Sequence, residues 1–183
     1  MTDSKTQIST SEKIYADSLI QVGKDGLISF EEIFNNLNLV KEVISQSRDF
    51  VEAMENPAID DKVKFEIINE IFSNQINEKI INFLKVLITK KRFCELDKII
   101  QAYSNELDEI NNIKRVEVLS AVDLTEEQIN LLKEKLQNKL QKNVVISQQI
   151  DKGIIGGLVI KIDDDIIDNS LKNKLENLSK NII

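Results

Sequence analysis

The chain has 183 residues, 42% of them hydrophobic and 30% charged, with a net charge of −7, the balance of a globular chain of one or two domains rather than of a disordered tail. Acidic residues exceed basic ones in both halves, 17 against 13 in residues 1–105 and 14 against 11 in 106–183, so no basic patch favours nucleic acid. The longest apolar stretch, around Ile154 to Ile160, is far short of the roughly 20 residues a membrane helix needs, and no direct membrane insertion is expected.

The opening MTDSKTQISTSEK is polar and lacks the apolar region of a secretory signal, so function in the cytosol is expected. From Thr10 to about Lys24 a Ser/Thr cluster ahead of Glu12 resembles a capping box, and Ile14, Tyr15, Ala16, Leu19, Ile20 and Val22 follow at helical spacings. On a wheel of ~100° per residue they cover roughly 240°, whereas a one-sided helix needs little more than ~100°. This helix must bury more than one face. Gly23 and Gly26 end it, and Leu27 to about Gln46 reads as a second helix with Phe30, Ile33, Phe34, Leu37 and Val40, followed by a short third piece with Phe50, Val51 and Met54.

Asn56-Pro57 stops that piece, and Asp60-Asp61 suits the start of a fourth helix carrying Val63, Phe65, Ile67, Ile68, Ile71 and Phe72. A fifth, about Asn77 to Lys90, bears Ile80, Ile81, Phe83, Leu84, Val86, Leu87 and Ile88 over roughly 220° of its wheel. Lys90-Lys91-Arg92 fit its C-terminus, where cations suit the dipole. The sixth, about Phe93 to Glu109, keeps its apolar side chains within a stripe of roughly 100°. Cys94, beside Phe93 and Leu96, reads as a buried small hydrophobe. Residues 1–110 thus read as a six-helix bundle, in which helices one, four and five either form the centre or leave a groove for a partner helix.

At Asn111-Asn112 the pattern changes. Ile113 to Val122 alternates at strand period, Thr125 with Gln128 opens a helix bearing Ile129, Leu132, Leu136 and Leu140, and Val144 to Ile150 gives a second strand, parallel to the first. The stretch GIIGGLVIKIDDDIIDNS, residues 153–170, holds three of the five glycines and reads as a buried, kinked strand, a turn at Asp163 to Asp165, a short return through Ile166-Ile167, and N-cap candidates at Asp168, Asn169 and Ser170. Leu171, Leu175, Leu178 and Ile182 then space a final helix. The fold class expected is α+β in two parts: the N-terminal six-helix bundle, then over 111–183 a small α/β domain with a mixed sheet and two helices.

Chemistry is sparse. There is no histidine, which removes the commonest general base and zinc ligand, and the glycines spell no phosphate-cradling loop. Asp163, Asp164, Asp165 and Asp168 lack the glycine a calcium loop needs at its sixth position, so a hairpin turn and cap are expected there. No catalytic residue, metal site or cofactor is expected. A small RNA-binding α/β domain would need a basic sheet face bearing aromatics, and no aromatic residue follows Tyr103. The information lies in apolar surfaces.

Ile150-Asp151, Ile155-Gly156-Gly157 and Ile166-Ile167-Asp168-Asn169-Ser170 followed by leucines resemble the C-terminal signature of the delta subunit of F-type ATP synthases, counterpart of the mitochondrial oligomycin-sensitivity-conferring protein. Tyr15-Ala16, Asn56-Pro57, Asn82-Phe83-Leu84 with Arg92, and Val118 to Gln128 follow in the matching order. The resemblance implies a non-catalytic peripheral-stalk subunit, monomeric within a hetero-oligomeric complex on the cytoplasmic face of a bacterial membrane, that couples proton-driven rotation to ATP synthesis by holding the catalytic head to the stator. It implies that the N-terminal helix of an alpha subunit lies in a groove lined by Tyr15, Ser18 and Leu19 on helix one and Phe83 and Val86 on helix five. The C-terminal region of a b subunit would meet Leu171, Leu175 and Leu178, whose other role is core packing. Two departures are an Asn at 169 where the family usually has Gly, and Gln141-Lys142-Asn143 where a glycine is often found. The alternative is a helix-binding adaptor of a different multiprotein complex.

Overall fold

The structure is a computed structural model that describes residues 10–163, 165–171, 173 and 175. Its elements follow in the order α1 (Thr10–Lys24), α2 (Phe30–Gln46), α3 (Arg48–Glu55), α4 (Asp61–Phe72), α5 (Glu78–Thr89), α6 (Leu96–Ile110), β1 (Ile113–Ser120), α7 (Glu126–Leu140), β2 (Asn143–Ile150), β3 (Leu158–Ile162) and β4 (Asp165–Asp168), with 3-10 turns at Phe93–Glu95 and Lys152–Ile154. Residues 171, 173 and 175 are also helical. The class is therefore α+β, and the chain divides into two compact units, Met1–Leu107 and Asp108–Ile183.

In the first unit, side-chain caps set the helix starts. Ser29 accepts from the Glu32 amide, Asp60 from Lys62 and Asn77 from Lys79, each satisfying a donor that helix geometry leaves over. The Ser29 cap puts the start of α2 at Phe30, so Leu27 is not helical as expected but lies exposed in the connection. Two helix ends share one solution. After α1, the Leu27 amide bonds Val22 O and the Gly26 amide bonds Gly23 O; after α5, Arg92 bonds Leu87 O and Lys91 bonds Ile88 O. This paired pattern needs a left-handed residue, which is Gly26 at φ 70° in one case and Lys91 at φ 56° in the other.

The core of this unit gathers Ile33 and Leu37 of α2, Ile68 and Phe72 of α4, Ile80, Leu84 and Leu87 of α5, and Ile99 and Tyr103 of α6, all with 0% exposure. Phe50 of the short α3 meets Phe72 and Phe93 edge-to-face at centroid distances of 6.2 and 6.0 Å, which ties an eight-residue helix to the core. Gly23 lets the Phe30 ring approach, since an added Cβ would lie 2.5 Å from it. Several buried polar groups are matched: Glu12 pairs with Lys98, the Asn77 amide donates to Asn36 Oδ1 at 3.1 Å, and Tyr103 Oη donates to Phe30 O at 3.1 Å. Burial pushes the Tyr103 hydroxyl up to about 12. Cys94 is exposed rather than buried, because the 3-10 turn before α6 gives Phe93 the inward direction and leaves its neighbour outside.

In the second unit the strand order is β2-β1-β3-β4. β1 runs parallel to β2, Ile113 opposite Asn143 through Ser120 opposite Ile150, with α7 as the crossover; β1–β3 and β3–β4 are antiparallel. Thr125 and Gln128 form a complete capping box, and Gln141, at φ 53°, ends α7 in the left-handed region. Val116, Val118, Val144, Ile160 and Ile162 of the sheet pack with Leu136 of α7. At one end, Lys142 and Lys114 gather around Glu109, and Lys114 also pairs with Asp163. The hydrogen bond from Lys142 holds the Glu109 carboxyl below its usual range.

The glycine-rich stretch departs from its expected form. Residues 152–154 make a 3-10 turn, Ile155 has φ 67° and is exposed, and the strand begins only at Leu158, so Gly156-Gly157 precede it rather than kink it. Gly157, at φ 85°, lies against the chain entering the last helix: an added Cβ would be 2.5 Å from Asn169 O. The left-handed demand in this signature therefore falls on Gly157 and Ile155, and Asn169 is not among the positive-φ residues. Asp163 at φ 51° turns the two-residue hairpin loop between Ile162 and Asp165. Ser170 Oγ accepts from the Asn173 amide, making Ser170 the cap among the three candidates.

Candidate functional site

The first unit carries its unusual surface on α1 and α5. Helix geometry places Ile14 and Ser18 one turn apart on the outer side of α1, both exposed, while Ala16, Leu19 and Ile20 turn inward. On α5, Ile80, Ile81, Leu84, Leu87 and Ile88 are buried and Val86 stays 47% exposed. Between these lies a contact that joins the helices: the half-buried rings of Tyr15 and Phe83 meet edge-to-face, centroids 6.3 Å apart at 73°. The result is an apolar strip running Ile14, Tyr15, Phe83, Val86.

Four of the five residues expected to line an N-terminal groove reach this surface. Tyr15 and Phe83 form its floor, Val86 is open, and Ser18 is exposed with its hydroxyl donating to Ile14 O at 2.8 Å. Leu19, 3% exposed, sits in the core and supports the strip from beneath. Ile14, 58% exposed, has no place in the groove expected from the sequence, although the excess width of the first helix already requires an apolar side chain outside the core.

The second unit has an apolar hollow of about 540 Å³ among the end of β1, α7 and the glycine stretch, lined by Val122, Leu131, Leu132, Ile155 and Leu158 with Gln128 and Lys135 at its polar edge. Val122, Leu131 and Ile155 are 69%, 54% and 64% exposed, a cluster of large apolar side chains of the kind that marks an interaction site. Leu171 lies against Gly156 beside the hollow and is 48% exposed; Leu175 is 58% exposed. Leu178 lies outside the described residues. The hollow escapes sequence reasoning because Leu131 falls off the narrow apolar stripe of α7 and Ile155 reads as part of a buried strand.

Among the described residues no group of three or more His, Cys, Asp or Glu is placed to hold a metal ion, and no helix is long and apolar enough to cross a membrane. Besides Tyr103, shifted by burial, the shifted groups are structural pairs: Lys142 lowers Glu109, and Glu95 and Asp108 raise Arg92 and Arg115 by hydrogen bonding.

The distinctive surfaces of this α+β chain are apolar faces, of the kind that mark interaction sites. Comparison with known proteins specifies the class. The family model described as ATP synthase delta (OSCP) subunit matches residues 12–182. The ATP synthase subunit delta of Clostridioides difficile is 34% identical over 152 residues, covering 82% of this chain and 83% of the relative. That of Chlorobium limicola is 35% identical over 150 residues, with 82% of each covered. In three dimensions, a chain of the Toxoplasma gondii mitochondrial ATP synthase hexamer superposes with a TM-score of 0.67 over 95% of this chain and 98% of that one; at 16% identity this speaks for the fold alone. The chain belongs to the ATP synthase delta (OSCP) subunit family. It is a non-catalytic component of the peripheral stalk of F-type ATP synthase, and an adaptor of a different complex is not favoured.

Proposed function

We propose that the chain joins the catalytic head of ATP synthase to the stator on the cytoplasmic face of a bacterial membrane, as one copy within the hetero-oligomer. In this reading residues 1–110 act as a six-helix bundle that takes the N-terminal helix of an alpha subunit across α1 and α5. Residues 111–183 act as an α/β domain that meets the C-terminal region of a b subunit. The observation that carries it is the Tyr15–Phe83 contact flanked by exposed Ile14 and Val86, an apolar strip of the kind that receives one face of an amphipathic helix. Ser18, small and internally hydrogen-bonded, leaves room for close approach, and Leu19 fixes the wall from the core side. On the stator side, Leu171, which lies against Gly156 beside the hollow, and Leu175 are both exposed, which supports a role in partner binding over core packing for these two.

Calorimetric titration of the full chain with a peptide spanning the N-terminal helix of the same organism's alpha subunit tests the head side. One-to-one binding is expected, weakened by about 2 kcal/mol or more in Val86→Asp, which would bury an unpaired charge against the helix. Undiminished affinity in a folded Val86→Asp variant would remove α5 from the interface. On the stator side, Leu175→Asp is expected to reduce capture of a soluble fragment taken from the C-terminal end of the b polypeptide while leaving peptide binding at the head side intact.

A further inference from the structure

The period of α5 carries more than apolar side chains onto the strip. Lys79, Phe83, Val86 and Lys90 are spaced by four, three and four, so at ~100° per residue they share one stripe roughly 60° wide. Lys90 is the C-cap and still right-handed helical. Both lysines are exposed, and their side chains make no hydrogen bond or ion pair among the described residues. By contrast Lys13, Lys41 and Lys98 of the same unit meet Glu106, Asp97 and Glu12. The acid next to Lys79, Glu78, lies about 100° round the helix from it, off the stripe. Two cations therefore bracket the apolar pair Phe83 and Val86, three turns and about 16 Å apart.

The other wall of the strip carries no sign of its own. α1 runs antiparallel to α5, since Arg92 just past α5 donates to Ser11 Oγ at 3.0 Å while Tyr15 meets Phe83. Its outward stripe, Ile14, Ser18 and Gln21, is uncharged. Beyond it, on the flank away from Tyr15, Asp17 is offset by Lys13 and Lys24, and Asp25 past the helix end accepts a hydrogen bond from Gln21 at 2.7 Å. Only α5 places charge of one sign on the strip itself. Resting on the reading that a helix seats across α1 and α5, we propose that this helix carries two acidic residues three turns apart, one beside Lys79 and one beside Lys90, with its apolar residues between them on Phe83 and Val86. Lys79 and Lys90 then select among amphipathic helices. A slip of one turn leaves an acid off its lysine, and a helix with basic flanks meets like charge at both ends.

The test is titration of the full chain with the peptide of the alpha subunit's N-terminal helix, at low and high salt. Binding is expected to weaken with salt, and the double variant Lys79→Glu, Lys90→Glu to bind about tenfold more weakly and with a flatter salt dependence. A double variant of equal charge change elsewhere, Lys62→Glu, Lys133→Glu, is expected to stay within about twofold of the unmodified chain. All four lysines are exposed, so each double variant should keep its fold by circular dichroism. Replacing the peptide's two acidic residues by lysine should weaken binding to the unmodified chain and restore it to Lys79→Glu, Lys90→Glu. The proposal is overturned if folded Lys79→Glu, Lys90→Glu binds undiminished, if Lys62→Glu, Lys133→Glu loses as much, or if the reversed peptide restores nothing. The two readings fail separately. No binding by the unmodified chain, or a Val86→Asp variant without effect, removes the seat and the selection with it, whereas a weakened Val86→Asp beside an undiminished Lys79→Glu, Lys90→Glu removes only the role of the lysines.

Discussion

Tyr103 shows how one buried hydroxyl sets a pH limit. Its hydrogen bond to Phe30 O lies in the core, where ionisation would strand a charge, so its folded pKa rises to about 12 against about 10 in an unfolded chain. The unfolded state therefore loses this proton first as pH rises. The contribution to stability is complete below pH ~10 and is lost as pH climbs to ~12. Tyr103→Phe is expected to cost about 1 kcal/mol at neutral pH, from the lost hydrogen bond, and to flatten this alkaline decline in denaturant midpoints. Lys91 holds the left-handed position that Gly26 holds after α1, so Lys91→Gly is expected to stabilise the fold by about 0.5 kcal/mol in the same assay.

Among the elements, starts are more legible in the sequence than faces. Asp60 before α4 and Thr125 with Gln128 before α7 announce themselves, because a capping side chain acts within three residues and needs no knowledge of the rest of the fold. Burial has no such local mark. Ile14 and Leu19 are both apolar residues of α1, and periodicity gives the width of their face without telling which flank the other helices cover. Cys94 departs from its expected burial for the same reason, since a 3-10 turn shifts the phase of the stripe that α6 then follows. In the glycine stretch, what distinguishes a kinked strand from a turn before a strand is the close approach of residues 169–170 to Gly157, a contact twelve positions away along the chain. Gly157→Ala is expected to cost about 2 kcal/mol or more, from left-handed strain plus the contact with Asn169 O. A neutral result by thermal unfolding would mean that the two segments separate readily.

For the molecule as a whole, function is a matter of attachment, and the consequences of a variant should be read in the assembled enzyme. On the proposed reading, a head released from its stator would still hydrolyse ATP, since this chain is non-catalytic, but would no longer convert rotation into proton movement. Val86→Asp is therefore expected to spare ATP hydrolysis while lowering ATP-driven proton pumping in membrane vesicles. Equal loss of both activities would point instead to failed assembly.

The sheet order also bears on how the chain is made. β1 is hydrogen-bonded on both sides, to β2 and to β3, and both partners are synthesised after it. Leaving the ribosome, β1 has two open edges until β2 and then β3, ending at Ile162, have emerged. The six preceding helices need nothing downstream of themselves for their caps and local contacts. A message cut short before Leu158 would thus yield a chain with formed helices and an incompletely paired β1, a target for chaperones and proteases rather than a shorter working stalk.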